Sequence, residues 1–256
     1  KELLEKFSPG FSSVLDKLTG PVKPLGSRAG TLTPQAAERL GLLPDTVVAV
    51  GHGDSEIVAA GLGVTESGSM LMVMGTSTCY QMMHRNKTAF DGVCAIVRDG
   101  MIPGLGAYES GQPAVGDTFA WFADNMLPQQ YEQAAADEGI SVLAYMDRLC
   151  GQLKAGESGL VALDWFNGNR SVLVNYDLSG LFVGLTLSTR PEDLMRALIE
   201  ATAFGTRNIL NNFETHGGEI RRIIASGGIA RKDPFTMQLF ADVLKKEIRV
   251  AETAQA

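Results

Sequence analysis

Cysteine is scarce in this 256-residue chain, with only Cys79, Cys94 and Cys150. No two of them form a C-x-x-C pair, and none stands at metal-ligand spacing from His52, His84 or His216. A disulfide framework and a zinc site are therefore not expected, and the thiols read as reduced and buried. No apolar run reaches the length of a membrane span, and no segment has the pattern of a secretory leader. A cytoplasmic chain with no membrane partner is the expectation. Positive charge is also in deficit: 22 Lys and Arg stand against 29 Asp and Glu, for a net charge of −7 and a pI of about 5.0. That balance argues against nucleic acid as a partner. It does not exclude a phosphate ligand, because backbone N–H groups bind phosphate without a basic surface. Three familiar signatures are missing too: the Walker loop, a G-x-G-x-x-G turn followed by a ribose-binding acid, and the G-x-S-x-G elbow.

What is present is an ordinary globular composition, 45% hydrophobic and 20% charged, with 29 glycines. The length suits one large domain or two modest ones. The opening residues Lys1–Phe7 read as the middle of a helix, and Arg249–Ala256 as an end without a cap, so the chain reads as truncated at both ends. Thr33-Pro34 opens a helix, with threonine suited to the cap and proline to the first turn. Thr46–Val50 reads as a buried strand, followed by a small-residue helix from Ser55. Ser69–Met74 reads as a second buried strand ending in Gly75-Thr76-Ser77. Asp99-Gly100 marks a two-residue hairpin between Gly92–Val97 and Met101-Ile102. Residues 104–116 are glycine-rich, residues 128–157 read as solvated acidic helices, and Gly159–Leu163 as a short strand. Pro191 begins the longest helix, with Leu194, Leu198, Ala201 and Phe204 on its buried side. Arg222–Ser226 reads as a strand ended by Gly227-Gly228, Asp233-Pro234 opens a last helix, and Glu247–Val250 is the last strand. Strands and helices alternate, so the class is α/β with a mixed sheet flanked by helices.

Four places carry candidate chemistry. Asp54 follows a strand, at the kind of position where ligands collect in α/β sheets. There it serves either as a general base or merely as a helix cap. Gly75, Thr76 and Ser77 form a strand-end turn that lets a phosphate reach the backbone and adds two hydroxyls; a plain turn has the same sequence. Gly227 and Gly228 expose main-chain N–H groups and leave flat space, with Gln238 on the following helix; a tight turn is the competing reading. Glu109 is a carboxylate suited to polyol hydroxyls, or a solvated loop residue.

In order, Gly51-x-x-Asp54, Gly75-Thr76-Ser77, Glu109-x-Gly111-Gln112, Gly227-Gly228 and Met237-Gln238-x-x-Ala241-Asp242 resemble the FGGY carbohydrate kinases, of the actin-like (ribonuclease H-like) ATPase superfamily. Residues 108–117, 159–170 and 200–207 are similar to the branch of that family that phosphorylates L-ribulose. The resemblance covers about Leu25 to Ala256. It implies transfer of the γ-phosphoryl of ATP, with Mg2+, to L-ribulose. Sister kinases acting on xylulose, gluconate or glycerol, and a non-catalytic actin-like nucleotide-binding module, are the alternatives. It implies that Asp54 is the catalytic base, Glu109 binds the sugar, Gly75, Thr76 and Ser77 bind phosphate, and Gly227, Gly228 and Gln238 bind adenosine. No residue is implied as a protein ligand to metal. Residues 1–66 correspond to the end of a first, sugar-binding domain and 67–256 to a second, ATP-binding domain. The family's first phosphate turn, Asp-x-Gly-Thr, is absent, so the isolated chain is expected to be inactive. Ser55-Glu56 stands where that branch usually has Ala-His. A homo-oligomer is compatible with the sequence, which marks no interface.

Overall fold

The computed structural model describes residues 1–18, 20, 21 and 23–252, with Asp54 and Ser55 described by backbone alone. The chain divides into two compact units, Lys1–Gly51 and His52–Ala256. The division falls ahead of the 66/67 boundary expected from the sequence.

The first unit holds α1 (Glu2–Phe7), a 3-10 helix (Phe11–Lys17), β1 (Arg28–Thr31), α2 (Pro34–Leu40) and β2 (Val47–Ala49). The Thr33 hydroxyl caps α2 by accepting from the Ala36 N–H at 3.2 Å. β1 and β2 pair antiparallel as a two-stranded ribbon. The expectation of a buried strand at 46–50 is corrected here: Val47 and Val48 are exposed. A lone pair of strands has too little surface to cover both faces of its own apolar run.

The second unit is built on α3 (Asp54–Gly61), β3 (Ser69–Met74), β4 (Thr78–His84), β5 (Ala95–Arg98), β6 (Gly106–Gln112), α4 (Gly116–Met126), α5 (Gln129–Asp137) and α6 (Val142–Gln152). It continues through β7 (Val161–Leu163), β8 (Leu181–Val183), α7 (Pro191–Thr215), β9 (Arg222–Ser226), α8 (Gly228–Lys232), α9 (Pro234–Leu244) and β10 (Ile248–Val250). Six strands form one sheet in the order β10-β9-β3-β4-β6-β5. β3, β9 and β10 run parallel, while β4 is antiparallel to both β3 and β6. The α/β class with a mixed sheet is the fold observed.

Alternation along the strands sorts side chains to two faces. Met70, Met72, Met74, Tyr80, Met82, Tyr108, Ile223 and Ala225 meet Phe119 and Phe122 of α4, Met146 and Cys150 of α6, Leu198 of α7 and Phe240 of α9. Leu71, Met83, Ala107 and Ile224 point the other way and meet Ala59 of α3 and Val64. Helices therefore flank both faces. Unbranched methionines fill the uneven gaps beneath crossing helices.

Several expectations change. β5 pairs with β6, not with Met101-Ile102, so Asp99-Gly100 does not close a two-residue hairpin. The Asp99 carboxylate instead accepts from the Gly104 N–H at 2.7 Å and closes a wider loop. The glycine-rich 104–116 stretch contains β6, an interior strand. Its glycines serve crowding: a Cβ at Gly106 would stand 2.9 Å from the Asn86 carbonyl, and one at Gly111 3.0 Å from the Thr78 carbonyl. α6 is not merely solvated, because it buries Met146 and Cys150. Phe204 is 60% exposed, since it faces an open groove beside Leu160 and Leu239.

Candidate functional site

β3 and β9 lie side by side and parallel, so their carboxyl ends deliver Gly75 and Gly227 to the same edge of the sheet. Both turns are held closely. The Gly75 carbonyl accepts from the Gly116 N–H at 3.0 Å, and the Thr76 carbonyl accepts from the Val115 N–H at 2.9 Å. This pins the 75–77 turn against the start of α4. Gly116 is required for that approach, since its Cβ would stand 2.6 Å from the Gly75 oxygen. Gly227 has φ of 97°, in the region that favours glycine, and packs against the Met74 backbone.

A cavity of about 370 Å³ opens between these turns. Gly75 and Gly228 line it, together with Phe119, Leu143, Met195 and Ile229 as apolar wall and Asp147, Lys232 and Asp233 as charged groups. It has a mostly apolar wall, exposed glycine backbone and few polar groups, the usual make-up of a small-molecule pocket. Asp147 is pushed up to about 7 by burial, with the Asp233 charge adding to the effect. Asp233 is itself raised by burial, although its carboxylate caps α9 by accepting from the Thr236 N–H at 2.8 Å.

Of the residues singled out from the sequence, Gly75 and Gly228 share this cavity, with Thr76, Ser77 and Gly227 in the same two turns. Gln238 lies elsewhere: it is exposed on α9 and donates to the Asp242 carboxylate at 2.8 Å. Asp54 starts α3, and its side chain lies outside the described residues. Glu109 sits on β6 between Gln81 of β4 and Ala95 of β5, half-buried and ion-paired to Arg170. It is a strand residue, not a solvated loop glutamate.

Sequence reading missed Asp147, Asp233, Arg170 and Asp164 as parts of sites. Each is a single charged residue, and nothing in its spacing separates it from a solvated one. Asp164 is buried and accepts from Gln112 Nε2 at 2.5 Å. Burial lifts its carboxyl to about 6, against the opposing pull of that hydrogen bond. Gln112 also donates to the Thr202 carbonyl, while its own carbonyl accepts from Tyr80 and Thr206. A larger cleft of about 950 Å³, lined by His84, Arg85 and Arg221, lies at the opposite end of β3 from Gly75, beside Ser67. It is remote from the two glycine turns.

The sheet order, the two antiparallel strands β4 and β5 and helices on both faces define an actin-like (ribonuclease H-like) α/β domain, with glycine turns at the ends of the neighbouring strands β3 and β9. Residues 70–256 match the family described as the FGGY family of carbohydrate kinases, C-terminal domain, and the chain belongs to that family. It is 45% identical over 256 residues to a ribulokinase of Geobacillus thermodenitrificans, covering 100% of this chain and 45% of that protein. A ribulokinase of Anoxybacillus flavithermus is 46% identical over the same length, with the same coverage of both chains. The solved xylulose kinase of Rhodospirillum rubrum superposes with a TM-score of 0.75 at 27% identity, over 90% of this chain and 44% of that one. The chain thus spans about half the length of the curated relatives it matches.

Proposed function

We propose that this chain is the ATP-binding part of a kinase that transfers the γ-phosphoryl of ATP to a ketopentose, L-ribulose, giving L-ribulose 5-phosphate. The observation that carries this reading is the convergence of Gly75 and Gly228 on one apolar-walled cavity, in a chain 45% identical to a ribulokinase. The adenosine portion occupies that cavity, and the phosphates lie toward the Gly75-Thr76-Ser77 turn and the Gly227-Gly228 turn. Gln238 belongs to the adenosine side in the family pattern; it is not among the residues lining the cavity and donates to Asp242. Asp54 acts as general base toward the sugar hydroxyl, and Glu109 accepts a hydrogen bond from the sugar. Residues 1–66 form the end of the sugar-binding domain and residues 67–256 the ATP-binding domain.

Among the described residues, no three His, Cys, Asp or Glu gather to hold a metal ion. Mg2+ would enter on the nucleotide phosphates, the common arrangement for this ion. When bound, the metal offsets phosphate charge; the protein supplies position and main-chain donors.

The test is an ATP-dependent phosphorylation assay of the full-length protein on a panel of ketopentoses and polyols. Fastest turnover on L-ribulose is expected. Faster turnover of xylulose, gluconate or glycerol would reject the sugar assignment, and ATP binding without any turnover would favour a non-catalytic module.

A second expectation concerns pH. Asp147 is neutral below about 7 and anionic above it. With Asp233 also on the cavity wall and only Lys232 opposing, an anionic nucleotide meets more negative charge as pH rises. ATP affinity should fall through pH 7 to 8 in the full-length protein. Asp147→Asn should flatten that dependence, as read by calorimetric titration at pH 6 and pH 8. An unchanged slope in the variant would remove Asp147 from the cavity's electrostatics.

A further inference from the structure

The segment 164–171 docks on β6 residue by residue. Asp164 accepts from Gln112, the Ser171 hydroxyl accepts from the Gly111 N–H at 3.2 Å, and Arg170 pairs with Glu109. The Ser171 contact has a clear cause. β5 stops pairing with β6 at Glu109, so the edge of β6 beyond it would present an unpaired N–H at Gly111. Ser171 takes that N–H and is itself 3.3 Å from Cys94 Sγ, just before β5. Arg170 then runs across Gly111 to reach Glu109. Its Nη1 and Cδ lie 3.1 Å and 3.4 Å from the place a Cβ on Gly111 would occupy. Glu109 and Gly111, two residues apart, face the same side of the strand, and only a residue without a side chain at 111 leaves that path open. On the opposite face, Gln112 is locked by Asp164, Thr202, Thr206 and Tyr80 in a fully buried network. A Cβ at Gly205 would stand 2.5 Å from Gln112 Nε2, so α7 closes over the network as well.

We propose that Arg170 is a positioning residue for the acceptor-sugar site, holding the Glu109 carboxylate in one orientation while segment 164–171 holds Arg170. This rests on the reading of Glu109 given above. The guanidinium engages Oε1 of Glu109, and Oε2 has no partner among the described residues. Oε2 is therefore the oxygen presented to a sugar hydroxyl. A planar guanidinium does this better than an ammonium, because its donors are fixed in one fork. Side-chain exposures of 28% for Arg170 and 27% for Glu109 leave the pair reachable from solvent yet partly desolvated, which sharpens its orientation.

The experiment uses the full-length protein with Arg170→Met, Arg170→Lys, Glu109→Gln and the double variant Glu109→Gln/Arg170→Met. Initial rates are measured with L-ribulose varied at saturating ATP, and with ATP varied at saturating sugar. Arg170→Met should raise the sugar KM about tenfold or more and leave the ATP KM within about twofold, the size of one lost charged hydrogen bond. Arg170→Lys should recover part of the loss. In the Glu109→Gln background, Arg170→Met should add less than about twofold, because the two residues act through one contact. Equal losses in both backgrounds, or a sugar KM unchanged in both Arg170 variants, would overturn the inference. If Arg170→Met fails to fold, Arg170→Lys carries the same comparison. Glu109→Gln impaired with Arg170 variants silent would sink this inference alone. Glu109→Gln at full activity would sink the sugar-site reading and this inference together.

Discussion

Replacing Asp54 with asparagine in the full-length protein is expected to abolish phosphoryl transfer while sparing ATP binding. A positioned general base contributes about 10²–10⁴-fold to rate, and asparagine cannot take up the proton from the attacking hydroxyl. Asparagine has the same shape as aspartate, so a residue that only begins the first turn of α3, after the N-cap Gly53, would pass the exchange almost unnoticed. This makes the substitution decisive between the two readings of Asp54. The measurements are kcat with saturating L-ribulose and ATP, the Kd for ATP by calorimetry, and Tm. A fall in kcat by about 10³-fold with Kd and Tm unchanged is the expected pattern. A kcat within about threefold of the unaltered protein would leave Asp54 only a place in the first turn of α3 and leave the chemistry to another group.

Gly227→Ala should be among the most damaging single substitutions in the second unit. The added Cβ collides with the Met74 carbonyl oxygen and comes within 2.9 Å of the Met74 carbonyl carbon and 3.0 Å of its nitrogen. These are backbone atoms of β3, which pairs with both β4 and β9 and cannot step aside without breaking the ladder. The φ of 97° adds backbone strain that alanine does not relieve. Overpacking and strain together cost about 2–6 kcal/mol, a large share of a domain's stability. Tm should fall by about 4–24 °C, since each kcal/mol shifts Tm by roughly 2–4 °C at this size. Gly228→Ala is the control. Nothing lies within 4 Å of its added Cβ, and alanine suits the start of α8, so stability should hold. Because Gly228 lines the cavity, any loss of ATP affinity in that variant reports on the ligand and not on folding. Normal stability of Gly227→Ala would mean that the close approach of β3 and β9 at this turn is not needed by the fold.

Much of the second unit was legible from local pattern. The strands at 69–74 and 222–226 are apolar runs bounded by glycine, and the helix beginning at Pro191 has a long periodic stripe and a proline at its first position. β4 and β6 were not legible as strands. Thr78–His84 and Gly106–Gln112 mix polar, aromatic and glycine residues, because one face of each strand carries Gln81, Glu109 and Gly111 while the other packs Tyr80, Met82 and Tyr108. Asp99-Gly100 has hairpin chemistry, but the strand that pairs with β5 lies beyond a loop closed by the Asp99 carboxylate. Phe204 fits the buried stripe of α7 by periodicity, yet no element covers that turn of the helix.

The sequence by itself determined the alternation of strand and helix, the positions of the glycine turns at strand ends, and the order of motifs that marks the family. Those features are set within a few residues by φ, by side-chain volume and by period. Tertiary structure alone decided which turns meet, because Gly75 and Gly228 are neighbours only through the parallel pairing of β3 with β9 across more than a hundred residues. It also decided the partners of Glu109 and Asp164, since a carboxylate's surroundings depend on which distant segment is folded against it.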